Sequence, residues 1–404
     1  MVPYLRAANV KDGVLDLSDV KQMNFTPAEQ QVFSLRPGDV LVTEGSGSLG
    51  SVGASAVWRG ELEGVVCFQN TLLRLRPREG ITEGRFLEWW ARSAFGSGVF
   101  ASVATGANIY HISAERVRAL PIALPRVDEQ ARIAAFLDAE TARIDQLAML
   151  RNKSLELLRE RMQSRLDNAV RGGVRSGGKR AEYSPLGLIP SEWRQGRLRN
   201  VDCEVQTGPF GSQLHAEDYI EDGWPVINPA NIRQQGLVAD RSVTISDAVR
   251  ERLSRHILRV GDVVFGRRGE LGRAGIVADA QEGWICGTGS LRVRFEGEAF
   301  HAGYLRRYLA IPAVRHYFQL HSVGSTMANL NSSILLNMPL LLPDISEQQR
   351  ISRDCDDIEL HSQKRELLIA RQLTLLSERR QALITAAVTG QFDVSTASGR
   401  GIED

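Results

Sequence analysis

The chain has 404 residues, 43% of them hydrophobic and 24% charged, with a formal net charge of +1. This describes a globular protein of two or three domains with ample core-forming material. It excludes a membrane span, since no apolar run is long enough to cross a bilayer, and the near-neutral charge argues neither for nor against nucleic acid. The start, Met1 to Arg6, lacks the charged and apolar regions of a signal peptide, so the expected location is the cytoplasm. Cys67, Cys203, Cys286 and Cys355 form no C-x-x-C and have no histidine at zinc-finger spacing, so they read as reduced, buried thiols, and no metal site is expected. Among the 49 basic residues only Lys11, Lys21, Lys153, Lys179 and Lys364 are lysines. The arginine excess suits bidentate phosphate or guanine recognition, and equally a GC-rich coding bias.

In chain order, Asp39 to Val42 reads as a short β-branched strand. Gly45-Ser46-Gly47-Ser48-Leu49-Gly50 follows and matches G-x-G-x-x-G. The next run, Ser51 to Trp58, reads as another strand. A dinucleotide fingerprint needs a helix there, so a tight hairpin is the better reading. An amphipathic helix is expected over 84–94. A polar loop from Thr105 to His111 precedes Leu120-Pro121-Ile122-Ala123-Leu124-Pro125. Residues 128–170 then contain no proline and almost no glycine, and apolar residues recur at 3–4 spacing: Ile133, Leu137, Ile144, Leu147, Leu155, Leu158, Met162, Leu166, Val170. That is one helix of about 60 Å. Gly172 to Lys179 is a glycine-rich linker.

Gly187-Leu188-Ile189-Pro190-Ser191-Glu192-Trp193 opens the second globular stretch, and Thr207-Gly208-Pro209-Phe210-Gly211-Ser212 is a glycine turn. Asp262 to Phe265 reads as a strand and leads into Gly266-Arg267-Arg268-Gly269-Glu270-Leu271-Gly272. A helix is expected over 302–309 and a polar loop over 325–331. A second long helix over 346–388 carries Ile351, Cys355, Ile358, Leu368, Leu376, Leu383 and Ala387.

The two halves repeat. Val2-Pro3-Tyr4 to Asn9-Val10 matches Trp224-Pro225-Val226 to Asn231-Ile232. Arg36-Pro37-Gly38-Asp39 matches Arg259-Val260-Gly261-Asp262, and Cys67 matches Cys286. Leu120 to Pro125 matches Met338 to Pro343, and Asp128-Glu129-Gln130-Ala131-Arg132-Ile133 matches Ser346-Glu347-Gln348-Gln349-Arg350-Ile351. Each copy is a mixed domain followed by a long helix. A narrow apolar stripe of that length wants a partner helix, and the two equivalent helices supply it as an antiparallel pair.

Paired mixed domains, each leading through L-P-x(3)-E-Q-x-R-I into a long helix, resemble the specificity subunit of type I restriction–modification systems. The residues are Leu124-Pro125 with Glu129-Gln130 and Arg132-Ile133, and Leu342-Pro343 with Glu347-Gln348 and Arg350-Ile351. The Gly187–Trp193 opening, Thr207–Ser212, Gly324–Asn331 and Val388-Thr389-Gly390-Gln391 also fit. The resemblance covers nearly the whole chain.

It implies an α+β protein with two tandem target-recognition domains, each a mixed β-sheet with helices, separated by two long helices in an antiparallel coiled coil. The boundaries are 1–126 and 182–345 for the domains, 127–171 and 346–390 for the helices, 172–181 for the linker and 391–404 for the tail. Each domain would read one half of a split, asymmetric sequence in double-stranded DNA, and the helix pair would set the gap. Two modification subunits would dock on the helices, bringing S-adenosylmethionine and methylating adenine. Restriction subunits would bring ATP, Mg2+ and cleavage. The chain itself would carry no cofactor and no catalysis. Consistent with this, no N-P-P-Y, nuclease or G-x(4)-G-K-[ST] motif is present. A non-DNA coiled-coil scaffold, or an enzyme using Gly45–Gly50, are the alternatives.

The resemblance points to Arg267, Arg268, Gly269 and Arg273 in the second hairpin as DNA contacts, where glycine lets backbone approach and arginine reaches phosphate or guanine. Ser46 and Ser48 occupy the first. Thr207, Ser212 and Gln213, and the loop residues Asn108, Tyr110, His111, Thr326, Asn329 and Asn331, are DNA contacts or turn caps. The first copy lacks a counterpart of 182–224, which reads as a truncated gene or a late start codon; upstream DNA without an in-frame G-x-I-P-x-x-W would rule out the late start. The second domain is therefore expected to have the better-formed DNA surface.

Overall fold

The computed structural model describes residues 1–173, 179–183, 186–233, 236–269, 272–297, 300–322 and 330–394. The chain divides into two compact units, Met1–Ser154 with Leu368–Asp404, and Leu155–Leu367.

The first unit begins with β1 (Val2–Leu5). Its central sheet has β2 (Val40–Thr43) in the middle. A short strand β3 (Gly45–Ser46) follows, then β4 (Ser55–Val57), β5 (Cys67–Phe68) and β6 (Leu72–Leu75). β4 and β6 pair antiparallel to either side of β2, with Val40 opposite both Val57 and Leu75. β2 and β4 pair antiparallel, but their connection is longer than the tight hairpin expected for the glycine-rich loop: it holds β3, which pairs elsewhere, and a 3-10 turn over Leu49–Ser51, and the following strand is shorter than 51–58. Helix α1 (Gly84–Gly96) covers one face; the Glu83 carboxylate caps it by accepting from the Phe86 N–H at 2.7 Å. β7 (Tyr110–His111), the short helix α2 (Ala114–Arg118) and the long helix α3 (Val127–Val170) complete the unit's chain order.

The second unit opens with a hairpin of β8 (Arg180–Tyr183) and β9 (Gly187–Pro190), then β10 (Arg194–Arg197) and β11 (Cys203–Thr207). β12 (Trp224–Ile227), β13 (Ile232–Arg233), β14 (Gly236–Leu237), β15 (Val263–Gly266), β16 (Ala274–Ile276), β17 (Ile285–Cys286) and β18 (Ser290–Phe295) follow. Helices α4 (Ala302–Leu309), α5 (Pro312–His321) and α6 (Ser332–Leu336), strand β19 (Pro339–Leu342) and the long helix α7 (Ile345–Val388) end the chain order. The central sheet runs β11-β18-β15-β16, and β10 pairs with β19.

The sequence repeat is a repeat of hydrogen bonds. Asp39 and Asp262 are buried, and each receives a two-pronged ion pair, from Arg76 at 2.6 and 2.7 Å and from Arg294 at 2.6 and 2.8 Å. Asn9 and Asn231 each donate to a carbonyl seven residues on, Asp16 at 2.8 Å and Val238 at 3.0 Å.

The long helices belong to both units. In the first, Ile133, Ala134 and Leu137 pack with Ile384, Ala387 and Val388, and Arg380 pairs with Asp145 at 3.2 Å. In the second, Val170 and Leu166 share a core with Ile351, Cys355 and Ile358, and Arg159 pairs with Glu366 at 3.1 Å. The start of one helix meets the end of the other each time, so they run antiparallel within each unit. Two stripe positions differ from expectation: Leu147 is 44% and Leu368 62% exposed. Ile369 and Leu373 take the half-buried positions, because stepping back from Leu376 by three and then four residues lands on them and not on Leu368. The expected linker is structured at its ends. Gly172, at φ +69°, donates to the Ala169 carbonyl at 3.0 Å and Gly173 to that of Asn168 at 2.8 Å, closing α3, while Arg180 already belongs to β8.

Candidate nucleic-acid interface

In the second unit the ends of several strands converge. The Gly208 N–H, just past β11, donates to the Ser290 carbonyl at 3.0 Å, and the Arg267 N–H, just past β15, donates to the Gly289 carbonyl at 2.9 Å. Gly287 donates to Ile227 at the end of β12 at 2.9 Å, and Ser290 Oγ donates to the same carbonyl at 2.8 Å. Glycine is required at this crossing: a Cβ on Gly208 would lie 1.8 Å from the Gly287 oxygen, and one on Gly289 2.8 Å from the Pro229 ring. The loop before α6 closes the group, with Leu330 N–H donating to the Arg267 carbonyl at 2.9 Å and Arg267 Nε donating to the Leu330 carbonyl at 3.1 Å.

Thr207, Arg267 and Asn331, far apart in sequence, are thus brought to one edge of the unit. Their local roles differ. Arg267 is half-buried and uses Nε to hold the 330 loop. Arg268 and Gly269 are exposed, and Gly269 sits at φ +82°. Arg273 is half-buried and directed at the β13–β14 hairpin, donating to the Ile232 carbonyl at 3.3 Å. Asn331 caps α6, its Oδ1 accepting from the Ile334 N–H at 2.8 Å. Gln213 Oε1 accepts from the Phe210 N–H at 3.3 Å, closing the turn Gly211–Gln213. Thr326, Asn329 and the Ser212 side chain lie outside the described residues.

Behind Thr207, buried Arg292 donates to Glu204 at 2.5 Å, to Gln206 at 2.9 Å and to the Arg255 carbonyl at 3.2 Å. Buried His256 lies beside it with an unpartnered Nδ1. Burial is the largest cause holding this imidazole's pKa below 6.5; the Thr207 backbone opposes it, and Arg292 and Arg255 reinforce it.

In the first unit the strand that follows β2 meets the segment before α2. β7 pairs antiparallel with β3, Tyr110 opposite Ser46 and His111 opposite Gly45, so three expected site residues share one ribbon. Ser46 Oγ accepts from the Ser48 N–H at 3.2 Å. Thr105 and His111 exchange backbone hydrogen bonds at 2.9 and 2.8 Å, which leaves Asn108 exposed at the tip.

Two backbone hydrogen bonds recur at the two junctions. Glu44 donates to the Thr71 carbonyl and accepts from the Ile112 N–H, both at 2.9 Å; Arg267 makes the equivalent bonds to Gly289 and Leu330 at the same 2.9 Å. An acid in one copy stands where the other has a base. Burial raises the Glu44 pKa, with His111 opposing.

Sequence reasoning passed over Glu44 and Phe210. Glu44 is legible once the strands are aligned at an offset of 223 rather than through the glycines. Phe210 is 62% exposed at the tip of the Gly208–Gly211 turn, and a large apolar residue flanked by glycine and proline was its signal.

Among the described residues no group of three His, Cys, Asp or Glu side chains converges, and no helix is long and apolar enough to cross a membrane. Residues 190–368 match the family model of the type I restriction modification DNA specificity domain. The EcoKI type I restriction enzyme specificity subunit of Escherichia coli K12 is 24% identical over 97% of this chain and 82% of its own length. The StySPI subunit of Salmonella potsdam is 23% identical over the same shares, and the MjaVIII subunit of Methanocaldococcus jannaschii is 21% identical over 88% of this chain and 79% of its own. A solved chain from work on assembly and conformational transition of a type I restriction–modification system has the same fold, at a TM-score of 0.73 and 20% identity over 97% of this chain and 92% of that one. So does the HsdS subunit of Thermoanaerobacter tengcongensis, at 0.60 and 19% over 97% and 91%. Residues 190–368 thus carry a type I restriction modification DNA specificity domain, and along nearly its whole length the chain is similar in sequence, and in fold, to type I specificity subunits.

Proposed function

We propose that each unit reads one half of a split DNA target, and that the edge formed by the ends of β11 and β15 with the loop before α6, and its counterpart in the first unit, is the reading surface. The observation that carries this is the Glu44–Arg267 exchange. Two copies with the same backbone bonds at one junction and opposite charges on it are suited to different base edges: arginine to the guanine acceptors, a carboxylate to the cytosine amino group. Arg268 and Phe210, exposed beside the second junction, would add phosphate contact and apolar contact.

The chain is the recognition component, and the chemistry is assigned to its partners. Two modification subunits would bring S-adenosylmethionine and methylate adenine; restriction subunits would bring ATP and Mg2+. Exposed Met149 and Leu150 on α3, with Leu368 and Leu375 on α7, supply apolar surface in the first unit for such docking. The long helices would set the gap between the half-sites.

Methylome sequencing of the source strain tests this. A split adenine-methylated motif that disappears when this gene is deleted is the expected result. A methylome unchanged by the deletion would refute the reading.

A further inference from the structure

The repeat sets one position of the long helices apart. Counting on from the matched Ile133 and Ile351, eleven residues lead to Ile144 in α3 and to Ser362 in α7. Both are buried, each 5% exposed. Where the first unit fills this position with hydrocarbon, the second has a hydroxyl, and beside it the two helices leave a groove of about 390 Å³ whose apolar lining is Leu158, Met162 and Ile358. The Ser362 Oγ has no hydrogen-bond partner among the described residues. Other hydroxyls of these helices fold back on the carbonyl four residues earlier: Thr141 on Leu137 at 2.6 Å, Ser154 on Leu150 at 2.8 Å and Thr374 on Ala370 at 3.2 Å. Ser362 makes no such bond, and a buried hydroxyl left unpaired costs stability.

Three arginines line the same groove. Arg161 and Arg165 stand one turn apart on α3, and Arg365 follows Ser362 on α7. All three are exposed, and among the described residues none has a carboxylate within ion-pair distance. Their neighbours are committed: Arg159 to Glu366 at 3.1 Å, and Arg350 to Asp354 at 2.5 Å and Glu347 at 2.8 Å. Two carboxylates also line the groove. Asp354 is taken by Arg350, while Asp357, whose carbonyl accepts from His361 Nδ1 at 2.7 Å, keeps its carboxylate. Three uncommitted guanidinium groups thus outnumber one uncommitted acid.

We infer that this groove binds a phosphate group, with Ser362 Oγ donating to one oxygen and Arg161, Arg165 and Arg365 holding the others. Guanidinium forks match phosphate oxygens two at a time, and a phosphate has acceptors enough for a hydroxyl and several forks together. Two sources carry that chemistry. One is the backbone of DNA, which the proposed function brings to the long helices, and to that extent the inference rests on that reading. The other is a small free phosphate.

The probes are a random-sequence duplex and inorganic pyrophosphate, each added to the full chain and to two variants. Ser362→Ile installs the residue of the other copy, which should raise the melting temperature of the free chain and close the site. The double variant Arg165→Ala, Arg365→Ala removes exposed charges without partners and should leave the melting temperature unchanged. If DNA is the source, the double variant loses about two units of the log–log salt slope of duplex binding, and Ser362→Ile weakens that binding about tenfold. If a small phosphate is the source, pyrophosphate at about 5 mM raises the melting temperature of the native chain and not of Ser362→Ile, and the salt slopes stay equal. No difference among the three proteins with either probe overturns the inference. Equal stabilisation of the native chain by a glutamate-rich peptide overturns the choice of phosphate. A native chain that responds to pyrophosphate as described but binds no duplex upholds the groove and removes the proposed function.

Discussion

Gln348 accepts a hydrogen bond from the His301 N–H at 2.8 Å and donates its amide to the Pro343 carbonyl at 2.9 Å. Gln130 repeats the pattern, accepting from the Glu83 N–H at 2.9 Å and donating to the Pro125 carbonyl at 2.8 Å. These are the glutamines of the duplicated E-Q-x-R-I segment. Both are buried, and each ties the first turn of a long helix to the start of the sheet-covering helix in its unit. The motif's work here is mechanical.

Replacing Gln348 with leucine strands a buried N–H and a carbonyl. The expected cost is about 2–4 kcal/mol, taking ~1–3 for each orphaned group less partial relaxation. Urea unfolding followed by circular dichroism checks this; a loss under about 0.5 kcal/mol, the usual size for surface substitutions, would contradict the tie.

Arg268 and Arg267 should separate on substitution. Arg268→Ala removes an exposed charge, so stability should hold within about 0.5 kcal/mol while the log–log salt dependence of DNA binding loses about one unit of slope. Arg267→Ala also releases the Leu330 carbonyl, so it should lower stability by about 1 kcal/mol as well as affinity. Parallel salt titrations and melts distinguish the two.

The Arg294–Asp262 pair leaves the carboxylate 2% and the arginine side chain 18% exposed. Arg294→Ala leaves a buried charge unpaired and should cost about 3–5 kcal/mol. The equivalent Arg76→Ala should destabilise the first unit by a comparable amount, visible as a lowered melting transition.

Burial holds the pKa of both His256 and His301 below the ordinary 6.5, in His301 against Asp356. Unfolding restores the ordinary value. Below pH 6.5 the unfolded chain therefore binds more protons than the folded one, so stability falls as pH drops from 6.5 toward the depressed folded values and is fully present above 6.5. The urea midpoint should be lower at about pH 5.5 than at about pH 7.5, and His256→Gln should flatten that slope.

Shortening both helices by four residues removes about 6 Å, so the preferred gap between half-sites should contract by about 2 base pairs. Selection from a pool of random-gap duplexes measures it; an unchanged gap would show that the helices are not the ruler.

The amino-acid sequence alone determined the repeat, the two long helices and the strands either side of Gly45–Gly50. These rest on local signals: apolar period, absence of proline, and a glycine-rich turn followed by strand chemistry. It also marked Arg267, Asn331, Tyr110 and His111 as residues worth locating. Only the tertiary structure decided their local roles. Arg267 turns inward because the Leu330 carbonyl, 63 residues on, waits for a donor, and Asn331 is a helix cap. The 223-residue offset aligns Glu44 with Arg267, but only the structure shows that Glu44 makes the matching backbone bonds, to Thr71 and Ile112. The burial of matched positions is also tertiary, because a half-buried Leu73 and a buried Leu291 read alike in the sequence. Periodicity records which face of an element is apolar; what covers that face depends on segments far away in the chain.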